Sequence, residues 1–315
     1  MKDAANNLSR RELLTHALRL AAVGAVATFP SDLSAAGQAV LDVAYAGSMT
    51  SIMEGPIKAA VAQRLGAELH GRAQGASGLA QLIAGGSIRP DVFISITPSP
   101  VQTVFRAAKA ELAEAIAHTE MVIAYSPKSR FAAKFEHAGK SGAPEWWQIL
   151  QEPGIRFGRT DPVTDPQGRN IIFTMMLAAR HYKQPDLVEK ILGATNNERQ
   201  IFTEPSVQAR LQSGELDAAS AYKIQPGPFH IPYLTLPEAV NLSGRLQEDH
   251  GGIALTVGEK TYHPEPLIYY AAVLKDAPNP KSAAALVEWL KGEEAQSIFR
   301  RFDYDPPGDA APLRA

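Results

Sequence analysis

The sequence predicts an α/β protein in which mainly parallel strands are covered by helices on both faces of each sheet. Two observations support this fold class. Apolar, β-forming runs alternate with segments of helical periodicity over the first 125 residues, which is the pattern of a parallel sheet flanked by helices. The turns between each strand and the next helix are rich in Gly and Ser. With 315 residues, and about 100–200 residues per domain, the chain is long enough for two domains.

The first strand–turn–helix unit is the clearest local signal. Residues 41–46 are apolar apart from Asp42 and predict a buried strand. Gly47 permits a tight turn, and Ser48 and Thr50 are good N-cap residues for a helix over 52–65. A strand that runs through Gly and Ser into a helix directs free N–H groups and a hydroxyl outward. This turn is therefore a candidate anion site, although an ordinary capped turn has the same pattern.

The alternation continues along the first half of the chain. The expected elements are a strand at 68–73, a helix opened by the Gly/Ser turn 75–78, a strand at 89–96, a largely helical segment over 98–117 and a fourth strand at 121–125. The turn at 75–78 is the second place where small residues open a helix, so it is a second candidate donor of backbone N–H groups.

The second half is less regular but contains two more helix starts of this kind. The expected elements are a polar loop over 126–144, a constrained Asp-Pro loop at 160–169 leading into a helix over 171–179, a helix opened by residues 203–207, a strand at 216–222, a surface segment over 226–241, a strand at 267–274 and a helix pair over 282–302. Four separate loops therefore deliver backbone amides to helix beginnings.

Composition excludes several classes of function. The formal net charge is −2, so there is no basic excess to neutralise a phosphate backbone, and nucleic acid is not an expected partner. The chain has no cysteine, which excludes disulfides, thiolate metal sites, cysteine nucleophiles and a lipid anchor on an N-terminal cysteine.

The N-terminus resembles an export signal. The run Ser-Arg-Arg-Glu-Leu-Leu at 9–14 is similar to the twin-arginine motif, and a weakly apolar segment follows it. Residues 1–36 are therefore expected to be a signal peptide that is too short and too polar for a stable membrane span. The resemblance implies export of the folded chain to the periplasm.

No catalytic constellation is visible in the sequence. The eight histidines are scattered without metal-ligand spacing, and the stretch 75–79 ends in Leu79 where a hydrolase elbow needs Gly. An exported hydrolase or metalloenzyme is therefore a remote alternative. We predict no catalytic residues, no cofactor and no site for a bare metal cation.

Several motifs, in a fixed order, resemble one protein family. They are Ala-Gly-Ser-Met-Thr at 46–50, Gly-Ala-Ser-Gly at 75–78, Arg-Pro-Asp-Val-Phe-Ile-Ser at 89–95, Asp-Pro-Val-Thr-Asp-Pro-Gln-Gly at 161–168, Ser-Gly-Glu-Leu-Asp at 213–217 and Leu-Pro-Glu-Ala-Val-Asn-Leu at 236–242. Together they resemble the periplasmic molybdate/tungstate-binding proteins of ABC transporters, and most of all the tungstate-type branch.

The resemblance implies a periplasmic binding protein fold of type II. In this fold two lobes, each a mainly parallel sheet flanked by helices, are joined by two crossover strands, and the ligand lies in the cleft between them. The implied organisation is a signal peptide at 1–36, lobe 1 formed by 37–124 and 266–315, and lobe 2 formed by 125–265.

The resemblance also implies the ligand-binding residues. Lobe 1 would contribute the hydroxyls of Ser48 and Ser77, and lobe 2 the backbone amides of Gln167 and Val207 together with the phenol of Tyr222. Each of these donors is neutral. A fully ionised tetrahedral oxyanion carries no proton, so a set of N–H and O–H dipoles suits it.

One position departs from the tungstate-type pattern. In that branch an Asp of the Asp-Pro loop and a Glu before the Tyr are thought to reach the metal centre of the oxyanion. Here Asp165 matches the Asp, but Ala221 precedes Tyr222, so the resemblance does not extend to both carboxylates of six-coordinate binding. Asp165 either turns away to cap its own loop or accepts the proton of a ligand such as hydrogen phosphate. Asp161 is expected to form an Asx turn.

The expected function is therefore that of a monomeric solute-binding protein. It would capture molybdate or tungstate and present it to a membrane permease. The alternative within the same class is a binding protein for sulfate, phosphate or a small organic anion.

Overall fold

The computed structural model describes residues 39–243 and 252–315. The strands are β1 Ala39–Ala46, β2 Ala67–Gln74, β3 Val92–Ser95, β4 Leu112–His118, β5 Met121–Tyr125, β6 Phe157–Gly158, β7 Ala218–Tyr222, β8 Tyr233–Thr235, β9 Leu255–Val257, β10 Lys260–Tyr262, β11 Ile268–Val273 and β12 Leu313–Arg314. The predicted export signal lies outside the described residues.

Helices connect most of these strands. They are α1 Thr50–Ile52, α2 Lys58–Leu65, α3 Ala76–Ala84, α4 Pro98–Arg106, α5 Ala132–His137, α6 Trp146–Ile149, α7 Pro166–His181, α8 Leu187–Leu192, α9 Glu204–Ser213, α10 Pro280–Lys291 and α11 Glu293–Arg301. Short 3-10 turns lie at Gly47–Met49 and Gly227–Phe229, and a π turn at Met53–Ile57.

The strands form two main sheets and a hairpin. The larger sheet has the order β12-β4-β11-β3-β1-β2, the smaller has the order β6-β7-β5-β8, and β9 pairs with β10. All residues of β3, β5 and β7 are buried, as expected for strands covered on both faces. The α/β class is therefore confirmed. No helix in the described part of the chain is long and apolar enough to cross a membrane.

The prediction of mainly parallel sheets is wrong in detail, because both sheets are mixed. Among the strands of the described residues, parallel pairing joins β1 to β2 and β3, and β6 to β7. β11 returns to the larger sheet and lies antiparallel between β3 and β4. In the smaller sheet β5 is antiparallel to both β7 and β8. The strands β5 and β11, which the chain enters after it has passed from one sheet to the other, are therefore antiparallel to their neighbours.

The chain crosses between the sheets twice. Only Thr119 and Glu120 separate β4 of the larger sheet from β5 of the smaller one, and the chain returns between β8 and β11. Backbone hydrogen bonds to Asp305 and Lys223 fix the first crossing in place. The backbone groups of His118 and Asp305 exchange two hydrogen bonds, and the backbone amide of Lys223 donates to the Glu120 carbonyl. The Lys223 ammonium also binds the Asp305 carboxylate at 2.7 Å.

The largest error in the predicted elements lies at residues 98–117, which were expected to be largely helical. The helix α4 ends at Arg106, and Ala108 has a positive φ of 56°. The Ala-rich segment Leu112–His118 is the strand β4. Alanine favours helices intrinsically, but pairing with β11 and β12 on its two sides decides the conformation here. The fourth predicted strand, β5, also belongs to the smaller sheet rather than to the first one.

Three further expectations needed correction. The helix expected over 52–65 is broken by a π turn, where Gly55 has non-helical angles and Pro56 lacks an N–H. The expected loop over 126–144 contains α5, whose Phe135 stacks on Tyr125 of β5. The expected surface segment over 226–241 contributes β8 to the smaller sheet.

Candidate functional site

A cavity of about 530 Å³ lies between the two sheets. The residues on the side of the larger sheet are Ala46, Gly47, Ser48, Gly75, Ala76 and Ile96. The residues on the side of the smaller sheet are Thr160, Asp161, Thr164, Asp165, Pro166, Gln167, Ile201, Phe202, Thr203, Glu204 and Tyr222. Four of the six predicted site residues therefore line one cavity, namely Ser48, Asp165, Gln167 and Tyr222.

Ser48 reaches the cavity because β1 ends two residues before it. The strand stops at Ala46, and the 3-10 turn Gly47–Met49 begins there, closed by a hydrogen bond from the Thr50 hydroxyl to the Gly47 carbonyl at 2.6 Å. The first amides of such a turn have no partner within the helix. The Ser48 hydroxyl is half-buried and lies 2.9 Å from the hydroxyl of Tyr269 on β11.

The second turn presents its backbone rather than its serine to the cavity. Gly75 is the N-cap of α3, and the amides of Gly78 and Leu79 are the ones that donate to its carbonyl. Helix geometry therefore leaves the amides of Ala76 and Ser77 without an intrahelical acceptor. The Ser77 side chain is exposed and is not among the residues that line the cavity. A ligand contact from its hydroxyl stays a prediction.

Asp165 caps helix α7 and lines the cavity at the same time. Its Oδ1 accepts a hydrogen bond from the Gln167 amide at 2.9 Å. The Gln167 amide is therefore already bonded, and the expectation that it is free for a ligand is corrected. Asp161 makes the expected Asx turn, with its Oδ1 accepting from the Val163 amide at 2.8 Å.

Val207 does not reach the cavity with a free amide either. Helix α9 begins at Glu204, so Val207 is its fourth residue, and its amide donates to the Thr203 carbonyl at 2.9 Å. Its side chain packs in an apolar cluster with Val122 and Leu211. The sequence located the helix beginning correctly but assigned the free amide one turn too far along.

Tyr222 supplies a hydroxyl donor at the end of β7. Its side chain is buried, and its oxygen accepts a hydrogen bond from Asn170 Nδ2 at 2.9 Å. Burial raises the pKa of Tyr222 well above its ordinary value, so the phenol keeps its proton. Among the described residues no hydrogen bond uses that proton, and it is free to be donated into the cavity.

Glu204 is a cavity residue that the sequence analysis missed. Its Oε1 accepts from Gln225 Nε2 at 2.7 Å. The side chain of Gln225 is itself held in place. Its Oε1 accepts a hydrogen bond from Gln167 Nε2 at 3.1 Å and another from the Tyr222 backbone amide at 2.7 Å. Both glutamines are buried, so the carboxylate of Glu204 is fixed in place. The available signal was its position at the first turn of a helix that opens on the cleft.

The cavity is more acidic than expected, since the sequence analysis placed neutral donors there with Asp165 as the one carboxylate. Asp161, Asp165 and Glu204 line it, and among the described lining residues there is no Lys, Arg or His. Burial raises the pKa of Asp165. Burial, together with the charge of Asp165, raises the pKa of Glu204. Within the described part of the chain no group of three or more His, Cys, Asp or Glu is arranged to hold a metal ion.

Comparison with known proteins agrees with this architecture. The model of the bacterial extracellular solute-binding protein family matches residues 41–305. A molybdate/tungstate-binding protein, WtpA, from Thermococcus kodakarensis is 31% identical over 205 residues, or 58% of this chain and 57% of that protein. WtpA from Pyrococcus abyssi is 30% identical over 60% of each chain. The aligned part of the chain thus spans less than two thirds of the length of these relatives.

A solved structure shows the same fold. The periplasmic molybdate-binding protein of Azotobacter vinelandii superimposes with a TM-score of 0.55 at 15% identity, covering 84% of this chain and 98% of that one. At this level of identity the likeness concerns the fold. The periplasmic binding protein fold predicted from the sequence is therefore confirmed.

Proposed function

We infer, from the premise that this chain belongs to the bacterial extracellular solute-binding protein family, that it captures a tetrahedral oxyanion and delivers it to an ABC transporter permease. Molybdate or tungstate is the proposed ligand, as in the WtpA relatives. The observation that carries this proposal is the meeting, at one cavity between the two sheets, of hydroxyl donors and helix beginnings from both sides.

The donors suit an anion for electrostatic reasons. Ser48 and Tyr222 bring hydroxyls to opposite walls, and the beginning of α3 brings the amides next to Gly75. Hydrogen bonds to an ionised acceptor are roughly twice as strong as neutral ones, and helix beginnings favour negative charge. The proposal keeps Ser77 as a further donor, which Ser77→Ala would test.

The acidic side chains favour a metal oxyanion over sulfate. Sulfate has no proton to give to Asp165 or Glu204 and no site for their oxygens, so both carboxylates would repel it. The metal centre of molybdate or tungstate can accept further oxygen ligands. Under this proposal Glu204 supplies the second carboxylate that Ala221 does not, and it does so from α9 instead of β7.

A second candidate ligand follows from the same two side chains. A hydrogen phosphate or phosphonate carries a proton that a carboxylate can accept. Isothermal titration calorimetry at pH 7 with molybdate, tungstate, sulfate and phosphate separates these cases. We expect tight binding of molybdate and tungstate and none of sulfate. Preferential binding of phosphate would establish the second candidate, and binding of no anion would refute both.

Single substitutions locate the site. Ser48→Ala should weaken oxyanion binding by roughly 1–3 kcal/mol, or about 5- to 150-fold, because a hydrogen bond to a charged group is lost. The control is Ser51→Ala, which removes an exposed hydroxyl that is not part of the cavity wall. Equal affinities of the two variants would show that the ligand binds elsewhere.

The remaining parts of the proposal concern the setting of the protein. We propose export through the twin-arginine route to the periplasm, no lipid anchor, a monomeric state and no enzymatic activity. We also propose that the chain moves as two lobes, the expected 37–124 with 266–315 and 125–265, but with the first boundary moved to residues 119–120, because β5 pairs in the smaller sheet. Signal cleavage measured by mass spectrometry of the periplasmic protein and analytical ultracentrifugation test these points.

A further inference from the structure

Behind Ser48 lies a small group of buried hydroxyls. Tyr269 on β11 is fully buried, and Tyr304, just after α11, is 4% exposed. The Tyr269 hydroxyl lies 2.9 Å from Ser48 Oγ, and the Tyr304 hydroxyl donates to the Ser48 carbonyl oxygen at 3.4 Å. The two rings are 5.4 Å apart between centroids. Two tyrosines distant in sequence therefore converge on the one serine that lines the cavity.

The direction of the bond between Ser48 and Tyr269 decides what Ser48 can do. A serine hydroxyl has one hydrogen and can accept as well as donate. If Ser48 donates to Tyr269, its hydrogen is used and it offers only lone pairs to the cavity. If Tyr269 donates to Ser48, the serine hydrogen is free to point at a ligand.

An anion in the cavity selects the second arrangement, because only that arrangement supplies it with a donor. Tyr269 suits the role of inner donor. Burial raises its pKa, so it keeps its proton, and its position on the central strand β11 fixes its ring. Tyr304 donates its own hydrogen to the Ser48 carbonyl oxygen or to the Tyr269 oxygen, and in either case the Tyr269 hydrogen stays available for the serine.

We propose that Tyr269 is a positioning residue that turns the hydroxyl hydrogen of Ser48 toward the bound anion. This inference rests on the proposed function, since it needs an anion in the cavity. It assigns no ligand contact to Tyr269 itself, which acts through Ser48.

A double-mutant cycle with molybdate tests the proposal. Dissociation constants are measured by calorimetry for the wild-type chain, Ser48→Ala, Tyr269→Phe and the double variant. Loss of one neutral hydrogen bond predicts that Tyr269→Phe weakens binding about threefold to tenfold in the wild-type background. It should have no effect once Ser48 is Ala, because the hydroxyl that it orients is gone. A merely structural role would give the same loss in both backgrounds.

The control is Tyr270→Phe, which removes the hydroxyl of the neighbouring buried tyrosine on the same strand. It should leave affinity unchanged. If Tyr269→Phe does not fold, Tyr269→Met, which also lacks a hydroxyl donor and fills space adaptably, replaces it in the cycle with the same expectation.

Wild-type binding of molybdate is measured first. Its absence would overturn the proposed function and this inference with it. Wild-type binding combined with an unchanged affinity of Tyr269→Phe, or with equal losses in both backgrounds, would overturn the inference alone.

Discussion

Gly168 offers a strong test of how the cavity wall is built. It is the third residue of α7, directly behind Asp165 and Gln167. A methyl group added there would lie 2.6 Å from the Asp161 carbonyl carbon and 2.7 Å from the Pro162 nitrogen, and it would also meet the Thr160 carbonyl oxygen. These are all backbone atoms, so no flexible side chain can move aside.

Two opposing effects decide the result of Gly168→Ala. In an open helix, alanine would be more favourable than glycine by about 1 kcal/mol. Against this, ordinary contact begins at 3.4 Å, so the Asp161 backbone must move by 3.4 − 2.6 = 0.8 Å. Overpacking of this kind costs about 1–3 kcal/mol, and contact with three backbone atoms favours the upper end. The net loss of unfolding free energy should be about 2 kcal/mol.

Thermal denaturation and molybdate calorimetry measure both consequences. The melting temperature should fall by roughly 4–8 °C, and molybdate affinity should fall at least about tenfold because Asp165 and the loop before it are displaced. Gly47→Ala is the matched control for stability alone, since its nearest atoms would lie 3.9 Å away but Gly47 lines the cavity. A Gly168→Ala variant that is as stable as the wild type, or more stable, would refute the reasoning.

Three further predictions concern buried polar groups. Burial and the charge of Asp165 raise the pKa of Glu204, so the ionised carboxylate destabilises the anion-free protein at pH 7. Glu204→Gln should therefore raise the unfolding free energy measured by urea denaturation at pH 7. This gain should shrink as the pH falls through the raised pKa. Burial opposes the charge of Asp217, but hydrogen bonds from Arg156 and Ser129 outweigh it and hold its pKa below the ordinary value. Asp217→Asn should therefore cost about 2 kcal/mol at pH 7, and no difference should remain in urea titrations below the lowered pKa; an equal cost at both pH values would contradict this. Ser220 has a buried hydroxyl without a hydrogen-bond partner, so Ser220→Ala should leave the unfolding free energy unchanged or raise it by up to about 1 kcal/mol, and a loss above about 1 kcal/mol would reveal a hidden partner.

The sequence was most informative where local chemistry decides structure. Gly and Ser turns, Pro residues near helix beginnings and apolar runs correctly located β1, the beginning of α3 and the loop before α7. These features depend on neighbours in the chain, and their side chains have strong intrinsic preferences. The same features brought Ser48, Asp165 and Tyr222 to one cavity, although their contacts with a ligand remain predictions.

Features that depend on distant partners were missed. The Ala-rich segment Leu112–His118 carries a helical preference that is overcome by strand pairing on both edges. The position of Glu204 in the first turn of a helix was visible in the sequence, but its role was not, because its orientation is set by Gln225 and, through it, by Gln167. The one-turn error at Val207 has a similar origin, since the exact first residue of a helix depends on its capping geometry.

The two-residue link between β4 and β5 limits how the cavity can open. Two extended residues span about 7 Å at most, and their ends are anchored in different sheets. If the two lobes move as proposed, so short a link restricts opening to a rotation around Thr119 and Glu120 and opposes a translation of one sheet away from the other. The Lys223–Asp305 ion pair lies next to that pivot, where the travel of the atoms is smallest. The Lys223–Asp305 ion pair can therefore stay intact while the cavity opens and closes.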